Sequence, residues 1–440
     1  MKKSARDRTE RPGNRPQPGR IEVPEERLDR QLRIPGWNQR ALEVARIGVV
    51  GDADLLASLV VLSLSALGLK DLVVLAPGMD RNLRGIAERL NPALRICFVE
   101  GLYTHPVLED LFTGCRAIVD LSRYGLANKL LLGKGLRDGT PVVRGFCYDG
   151  EDEQGVKVFT YVRGREWEEL RELVSEASFP QDHFDDGVLD IIAAGLALEE
   201  TKNVLMDRKT SEDVVTYARA RLSPIGRGTR VCVAGAGALG NFVGLGLACS
   251  GFRDVVFFDP EAAEVTNLNR QVFLAGAVGS NKAESLADSL NGMFGTAYQG
   301  YGKSLGRDTD ISRYGVVFDC VDNFETKIVL SEKCREKGKI LVSGGTSAET
   351  GQAIVYDPGR KKETPAEVLG LYGIVGEREE GGRRGEGASC DYVPDPSVIM
   401  TNMIIAGVMV DSLRIVLDGK DAENVFYDAT SDKMLSSCRP

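Results

Sequence analysis

Gly235, Gly237 and Gly240 spell G-x-G-x-x-G between the apolar run "VCVA" and a helical stretch beginning "ALGNF". Glycines so placed let backbone N–H groups and a helix N-terminus receive phosphate. The next apolar run ends in Asp259, about 20 residues beyond the glycines, where a carboxylate can hydrogen-bond a ribose hydroxyl. To this point a dinucleotide and a nucleoside triphosphate fit equally well. The loop "EVTNLNRQVF" then adds Asn267, Asn269, Arg270 and Gln271, and "GSNKAESL" adds Lys282. A guanidinium offers phosphate oxygens a planar fork and an ammonium offers a point charge, so this set suits a triphosphate better than a nicotinamide. Finally "FDCVDN" places Asp322 and Asn323 at the end of a later strand, where a carboxylate can hold Mg²⁺ against phosphates. The chemistry indicated is ATP-dependent, with Mg·ATP as the expected ligand.

The elements that must carry these residues occur twice. "RIGVVGDADLLASLVVLSLSALGLKDLVVLAP" (46–77) is echoed by "RVCVAGAGALGNFVGLGLACSGFRDVVFFDP" (230–260) with one residue of slip. "AIVDLSRYGLANKLLLGKGLRDGTPVVRG" (117–145) is echoed by "VVFDCVDNFETKIVLSEKCREKGKILVSG" (316–344) without a gap. Two copies of one α/β unit are implied, each a mostly parallel sheet flanked by helices in the Rossmann manner, together a pseudo-dimer within one chain. The halves are expected at 23–222 and 223–440, divided where a helical pattern breaks at Pro224, after a basic arm over 1–22.

Only the second copy keeps the chemistry. Gly51 survives in the first, but Ala53 stands for Gly237, Leu56 for Gly240, Ala76 for Asp259 and Arg123 for Asp322. An arginine in place of the metal carboxylate repels magnesium, so the first half is read as degenerate.

Composition narrows the remaining options. The arm carries basic residues and Pro/Gly without the apolar stretch of a signal peptide, while the 440-residue chain has a net charge of -9. The chain reads as soluble, with no apolar run long enough to cross a bilayer, and a cytoplasmic location is the default; neither membrane nor nucleic acid is expected as a partner. Nine cysteines without a C-x-x-C pair argue against a disulfide framework and against a paired-thiolate zinc site, so no zinc is expected. Two histidines, His105 and His183, allow at most one imidazole base and belong to no recognisable constellation.

"GAGALG", "FFDPEAAEVTNLNRQVF", "GSNKAESL" and "FDCVDNFETK", in this order and spacing, resemble the adenylation domain of the ThiF/MoeB superfamily over about residues 225–420. The superfamily includes the enzymes that activate ubiquitin and its relatives. The resemblance implies Asp259 on the ribose, Asn267, Arg270 and Lys282 on the phosphates, and Asp322 on magnesium, with Gln271 and Asn323 beside them. It also implies a partner with a C-terminal glycine carboxylate, a ubiquitin-like protein, and a conjugating enzyme downstream. "RLDRQLRIPGWNQRAL" (27–42) is similar to the family segment whose arginine reaches across a dimer into the partner's ATP, which would make Arg30 a catalytic contribution of the degenerate half.

The resemblance places a candidate nucleophile at Cys390. It ends a charged, Gly-rich crossover segment expected to be mobile over 358–390, shortly before the apolar helix "SVIMTNMIIAGVMVDSLRIVL" (397–417). Cys232, Cys249, Cys320 and Cys334 read as packing residues, and Cys438 is the second choice. The function implied is that of an E1-like, ubiquitin-like-modifier-activating enzyme of compact, prokaryotic type. Alternatives are a sulfur-carrier-protein adenylyltransferase, an adenylating enzyme of peptide maturation that does not need Cys390, and a silent scaffold.

Overall fold

The computed structural model describes residues 25–165 (apart from 53, 81, 102, 104–107 and 109), 184–223, 228–375, 395–431 and 434–438. His105, His183, Pro224, Ala53, Cys390 and the arm over 1–22 lie outside them.

Apolar runs become strands where both faces are covered. β4 (Ala117–Asp120), β8 (Val231–Ala234) and β11 (Val316–Asp319) are buried at every position, as strands inside helix-covered sheets must be. The first sheet runs β3-β2-β1-β4-β5-β6-β7, with β1 (Arg46–Val50), β2 (Asp71–Leu75), β3 (Arg95–Val99), β5 (Val142–Asp149), β6 (Glu153–Tyr161) and β7 (Val215–Ala220). The second runs β10-β9-β8-β11-β12-β13-β14-β15, with β9 (Val255–Phe258), β10 (Gln299–Tyr301), β12 (Ile340–Thr346), β13 (Thr350–Tyr356), β14 (Asn424–Asp428) and β15 (Leu435–Cys438). Each is parallel over its first five strands and antiparallel beyond them.

The sequence echo is a structural one. Gly51 N donates to Leu75 O at 3.1 Å and Leu121 N to Val50 O at 2.7 Å; Gly235 N donates to Phe258 O and Cys320 N to Ala234 O, each at 2.8 Å. The same backbone bonds therefore close the turn after the first strand of each half.

The halves meet through two long helices, Gly187–Leu205 and Ile399–Leu417. Their contact is reciprocal. A Cβ on Gly407 would stand 2.5 Å from Ile192 Cγ1, and one on Gly195 would stand 2.6 Å from Ile404 Cγ1. Glycine is required at both places because an isoleucine of the opposite helix fills the space. Charges repeat the symmetry one turn further on, with Lys202 pairing to Glu199 and Arg414 to Asp411. Tyr217 of the first sheet donates to Asp411 at 2.9 Å; its counterpart Tyr427 keeps a buried hydroxyl with no hydrogen-bond partner among the described residues.

The helix Ile399–Leu417 corrects one expectation. Its 19 residues, with mean hydropathy 1.6, are long and apolar enough to cross a membrane by length and composition. Most of it, 83%, is buried inside the protein, and a helix packed on every side is apolar all round for that reason.

Gly407→Ala should cost about 1–3 kcal/mol by overpacking. Urea unfolding would measure it, and Ile192→Ala in the same chain should return part of the loss if the crossing is the cause.

Candidate functional site

β8 leads to β9 on one side of it while β11 lies on the other, so the chain reverses its direction of travel at β8. Ligands of open α/β sheets bind beyond the strand C-termini at such a point. The glycine turn after β8, Asp259 after β9 and the turn 320–323 after β11 all lie at that edge.

The three glycines have different tasks. Gly235 adopts a φ of +94°, and a Cβ there would lie 2.7 Å from the Cys320 carbonyl oxygen. Gly240 packs so close that its Cβ would lie 2.1 Å from the Gly235 oxygen, which makes it a packing glycine. Gly237 caps the helix Ala238–Cys249, and the nearest atom to its Cβ position is Gln271 Nε2 at 3.8 Å. Gly237 is thus the one of the three that leaves space open to a ligand.

Asp259 is buried, and it holds the glycine turn by accepting from Ala236 N at 2.7 Å and from Glu261 N at 2.9 Å. Burial raises its pKa, opposed by those two backbone donors. Asn281 donates to Asp259 O at 2.9 Å and caps the helix Lys282–Phe294, so Asp259 and Lys282 are tied together. Lys282 pairs with the exposed carboxylate of Glu261.

The cations of the loop are the least balanced part of the site. Arg270 is 6% exposed and donates to Thr266 O at 2.8 Å and Asn269 Oδ1 at 2.7 Å. Among the described residues it makes no ion pair. Burial first, and then the nearby charge of Arg30, lower its pKa to about 10, with only partial relief from Asp29 and Glu264. Arg30 arrives from the first half. Its segment is anchored there by Arg27 and Gln31, which donate to Ala66 O at 2.7 Å and Leu67 O at 2.9 Å. Asn269 then donates to Gln31 Oε1 at 3.2 Å, and Arg30 to Asp395 O at 2.9 Å. A buried guanidinium with no carboxylate partner among the described residues, and a second, half-buried one near it, are costly to keep together unless an anion joins them. Beside them the buried Gln271 Oε1 lacks a donor among the described residues, which a ligand hydroxyl could supply.

Other residues of the expected set have local duties. Asn267 Oδ1 accepts from Glu264 N at 3.0 Å and closes a capping box, and Asn323 caps the helix Phe324–Lys337 through Thr326 N at 2.8 Å. Asp322 is exposed at the strand edge. Residues 358–375, expected to be mobile, are built: Thr364 and Glu367 form a capping box, Pro365 opens the helix Pro365–Val368, and Ala366 and Leu371 pack on Ile328. The sequence "TPAE" carried that signal. Burial pushes the thiols of Cys232, Cys249, Cys320 and Cys334 up, those of Cys249 and Cys334 to about 12, as for inert packing cysteines.

In the first half the same edge is closed upon itself. Leu56 cannot sit where Gly240 sits, and the helix there begins at Leu55 behind the cap Asp54. Arg123 lies within 3.4 Å of Asp52, 3.6 Å of Asp54 and 3.0 Å of Asp185. Tyr103 donates to Gly51 O at 2.5 Å and packs at a tilt against the Tyr124 ring. The chain's own side chains neutralise and cover this edge, which sequence reasoning read only as lost glycines, lost carboxylates and an arginine that repels magnesium.

Residues 222–439 match the ThiF family, and through this half the chain belongs to it. The chain is 31% identical over 161 residues to the adenylyltransferase and sulfurtransferase MOCS3 of Xenopus laevis, covering 34% of this chain and 36% of that protein. It is 26% identical over 225 residues to ubiquitin-like modifier-activating enzyme 5 of Caenorhabditis briggsae, covering 47% and 50%. The chain thus spans between a third and a half of these relatives. Among solved structures, E. coli MccB with ATP is similar at 17% identity and a TM-score of 0.39, over 48% of this chain and 64% of that one.

The closed edge has a pH signature. Burial raises Asp54 from 3.8 to about 6, so between these values the folded chain holds a proton that the unfolded chain has released. Stability from this group therefore falls as pH rises through that window. Asp54→Asn keeps an acceptor for Ala57 N without the charge, and should gain up to about 3 kcal/mol over the parent at pH 7. The gain should disappear near pH 4 in paired urea titrations.

Proposed function

We propose that the second half adenylates the C-terminal carboxylate of a ubiquitin-like protein and that Cys390 then receives the acyl group as a thioester for transfer to a conjugating enzyme. The observation that carries the nucleotide part is the buried Arg270 with the half-buried Arg30 near it, neither with a carboxylate partner among the described residues, beside the open space at Gly237.

The residues fit Mg·ATP. Asp259 would accept from the ribose hydroxyls, Arg270, Arg30 and Lys282 would meet the phosphates, and Gln271 would find its missing donor at a ligand hydroxyl. Lys282 exchanges Glu261 for phosphate in this reading. Asp322, exposed at the edge, suits a cation that takes one or two carboxylates and completes its shell with phosphates and water. Magnesium bound there would neutralise charge on the triphosphate.

A carboxylate oxygen of the substrate attacks the α-phosphorus of ATP, and the bond to the β-phosphate oxygen breaks, releasing pyrophosphate. The Cys390 thiol loses its proton to solvent, and the thiolate attacks the acyl carbon as the bond to AMP breaks and AMP leaves. Positioning and charge stabilisation carry the first step, so no histidine is needed. The relatives named as a ubiquitin-like modifier-activating enzyme and as an adenylyltransferase and sulfurtransferase both support adenylation and divide over the step after it.

The test is incubation with Mg·ATP and a ubiquitin-like protein from the same source, resolved on a non-reducing gel. A thiol-sensitive adduct should form, and should be missing from Cys390→Ala and Asp322→Ala. Arg270→Ala should weaken ATP binding by about 10- to 100-fold, the value of a lost charged hydrogen bond. Pyrophosphate release that needs Asp322 but yields no adduct would end the sequence at the adenylate and remove Cys390 from it. Transfer of labelled sulfur would replace the thioester reading with sulfur carriage.

A further inference from the structure

A buried polar cluster lies under the turn that presents Asp322, and nothing in the proposed reaction uses it. Asp319, 1% exposed, accepts from Lys327 Nζ at 3.1 Å and Ser343 Oγ at 2.6 Å through Oδ2, and from Val321 N at 3.3 Å through Oδ1. Lys327 is itself buried; its ammonium also donates to Gly344 O at 2.7 Å, and its backbone N–H donates to Asn323 O at 3.3 Å. One lysine therefore ties both ends of the turn 319–323 to the end of β12. Asp322 is the exposed acid of that turn.

The degenerate half holds the same cluster with its cation moved. Asp120 is the equivalent of Asp319, and its Oδ1 accepts from Ser122 N at 3.1 Å. Where the second half has Lys327 on the helix, the first has Asn128, donating to Asp120 Oδ2 at 2.8 Å. Where the second has Ser343 on the strand, the first has Arg144, which lies 3.2 Å from Asp120 Oδ2 and donates to Ser122 O at 3.2 Å. Each half neutralises its buried aspartate once, from opposite sides. In the half whose cation sits on the strand, the turn's own carbonyl is drawn to it, and the residue at the Asp322 position, Arg123, turns back onto Asp52, Asp54 and Asp185.

We infer that Lys327 is the positioning residue for Asp322: the placement of the buried cation on the helix, through Asp319, sets the turn so that the Asp322 carboxylate is presented to a divalent cation. The inference rests on the reading of Asp322 as the magnesium carboxylate. It assigns Lys327 no contact with nucleotide.

The first half supplies the test, because it folds around the alternative arrangement. The double variant Lys327→Asn with Ser343→Arg keeps the buried charge and moves it from helix to strand. Calorimetric binding of ATP is measured with Mg²⁺ and with EDTA, and the ratio of the two affinities is the readout, beside the melting temperature. Loss of a supporting group around a metal ligand typically costs about 10- to 100-fold in metal affinity, so the Mg²⁺ enhancement should fall at least tenfold, toward that of Asp322→Asn. Binding in EDTA and the melting temperature should stay near those of the parent, and Lys327→Arg should keep the enhancement. An enhancement retained by the double variant overturns the inference, as does an equal loss of affinity with and without Mg²⁺. Should the double variant not fold, Lys327→Gln compared with Lys327→Arg decides by the same ratio. A parent chain and Asp322→Asn that respond identically to Mg²⁺ would instead refute the reading of Asp322, and the inference would fall with it.

Discussion

The crossing of the helices Gly187–Leu205 and Ile399–Leu417 is the constraint on which the rest of the molecule depends. Ile192 fits against Gly407 and Ile404 against Gly195, so each helix supplies both a knob and the hole for the other. Without side chains on those glycines the helix axes approach closely, and small displacements at the crossing would be felt along both sheets because packed interiors transmit strain. The ion pair of Asp186 with Arg414, at 2.7 Å, joins the halves beside the crossing. Buried pairs of this kind add little net stability but are expensive to break, so they act as a register for the interface more than as its adhesive.

Each half contains the same fold with the opposite treatment of its strand edge. In the second, glycine at positions 235 and 240 keeps the turn tight, and Arg270 and Arg30 near it lack carboxylate partners among the described residues. In the first, Leu56 and Asp54 reshape the turn, and Arg123 is surrounded by carboxylates. The contrast is electrostatic: unbalanced charge at one edge leaves room for a charged ligand, and balanced charge at the other leaves none.

Much of this is legible in the sequence because it depends on local chemistry. Strand runs such as "VCVA" and "VVFD", the glycine spacing and the internal echo read directly as two Rossmann-like sheets, since β-branched runs, turns and repeats are local signals. The duties of individual polar residues are less legible. Asn323 and Asn267 present amides that serve equally as caps or as ligand contacts, and only the fold shows each accepting from a nearby backbone N–H. Lys327 and Ser343 look like ordinary helix and strand residues, because their meeting at Asp319 needs β11, β12 and a helix to be assembled first. The apolar helix near the C-terminus is likewise opaque in sequence: burial between the halves, not composition, explains it.

The position of Arg30 depends on the helix crossing. Arg27 and Gln31 fix its segment to the end of the helix Leu55–Ala66, inside the first half, while Asn269 and the Asp395 carbonyl meet it from the second. An arginine on one body can approach an arginine on another only if something holds the two bodies against their repulsion. Here the apolar crossing does so, at a cost that a bound anion would offset, because charges of one sign in a desolvated site are relieved by a ligand of the opposite sign. If the second half binds ATP as proposed, the degenerate half is part of the site it lacks: it supplies one cation and the packing that keeps that cation close to Arg270.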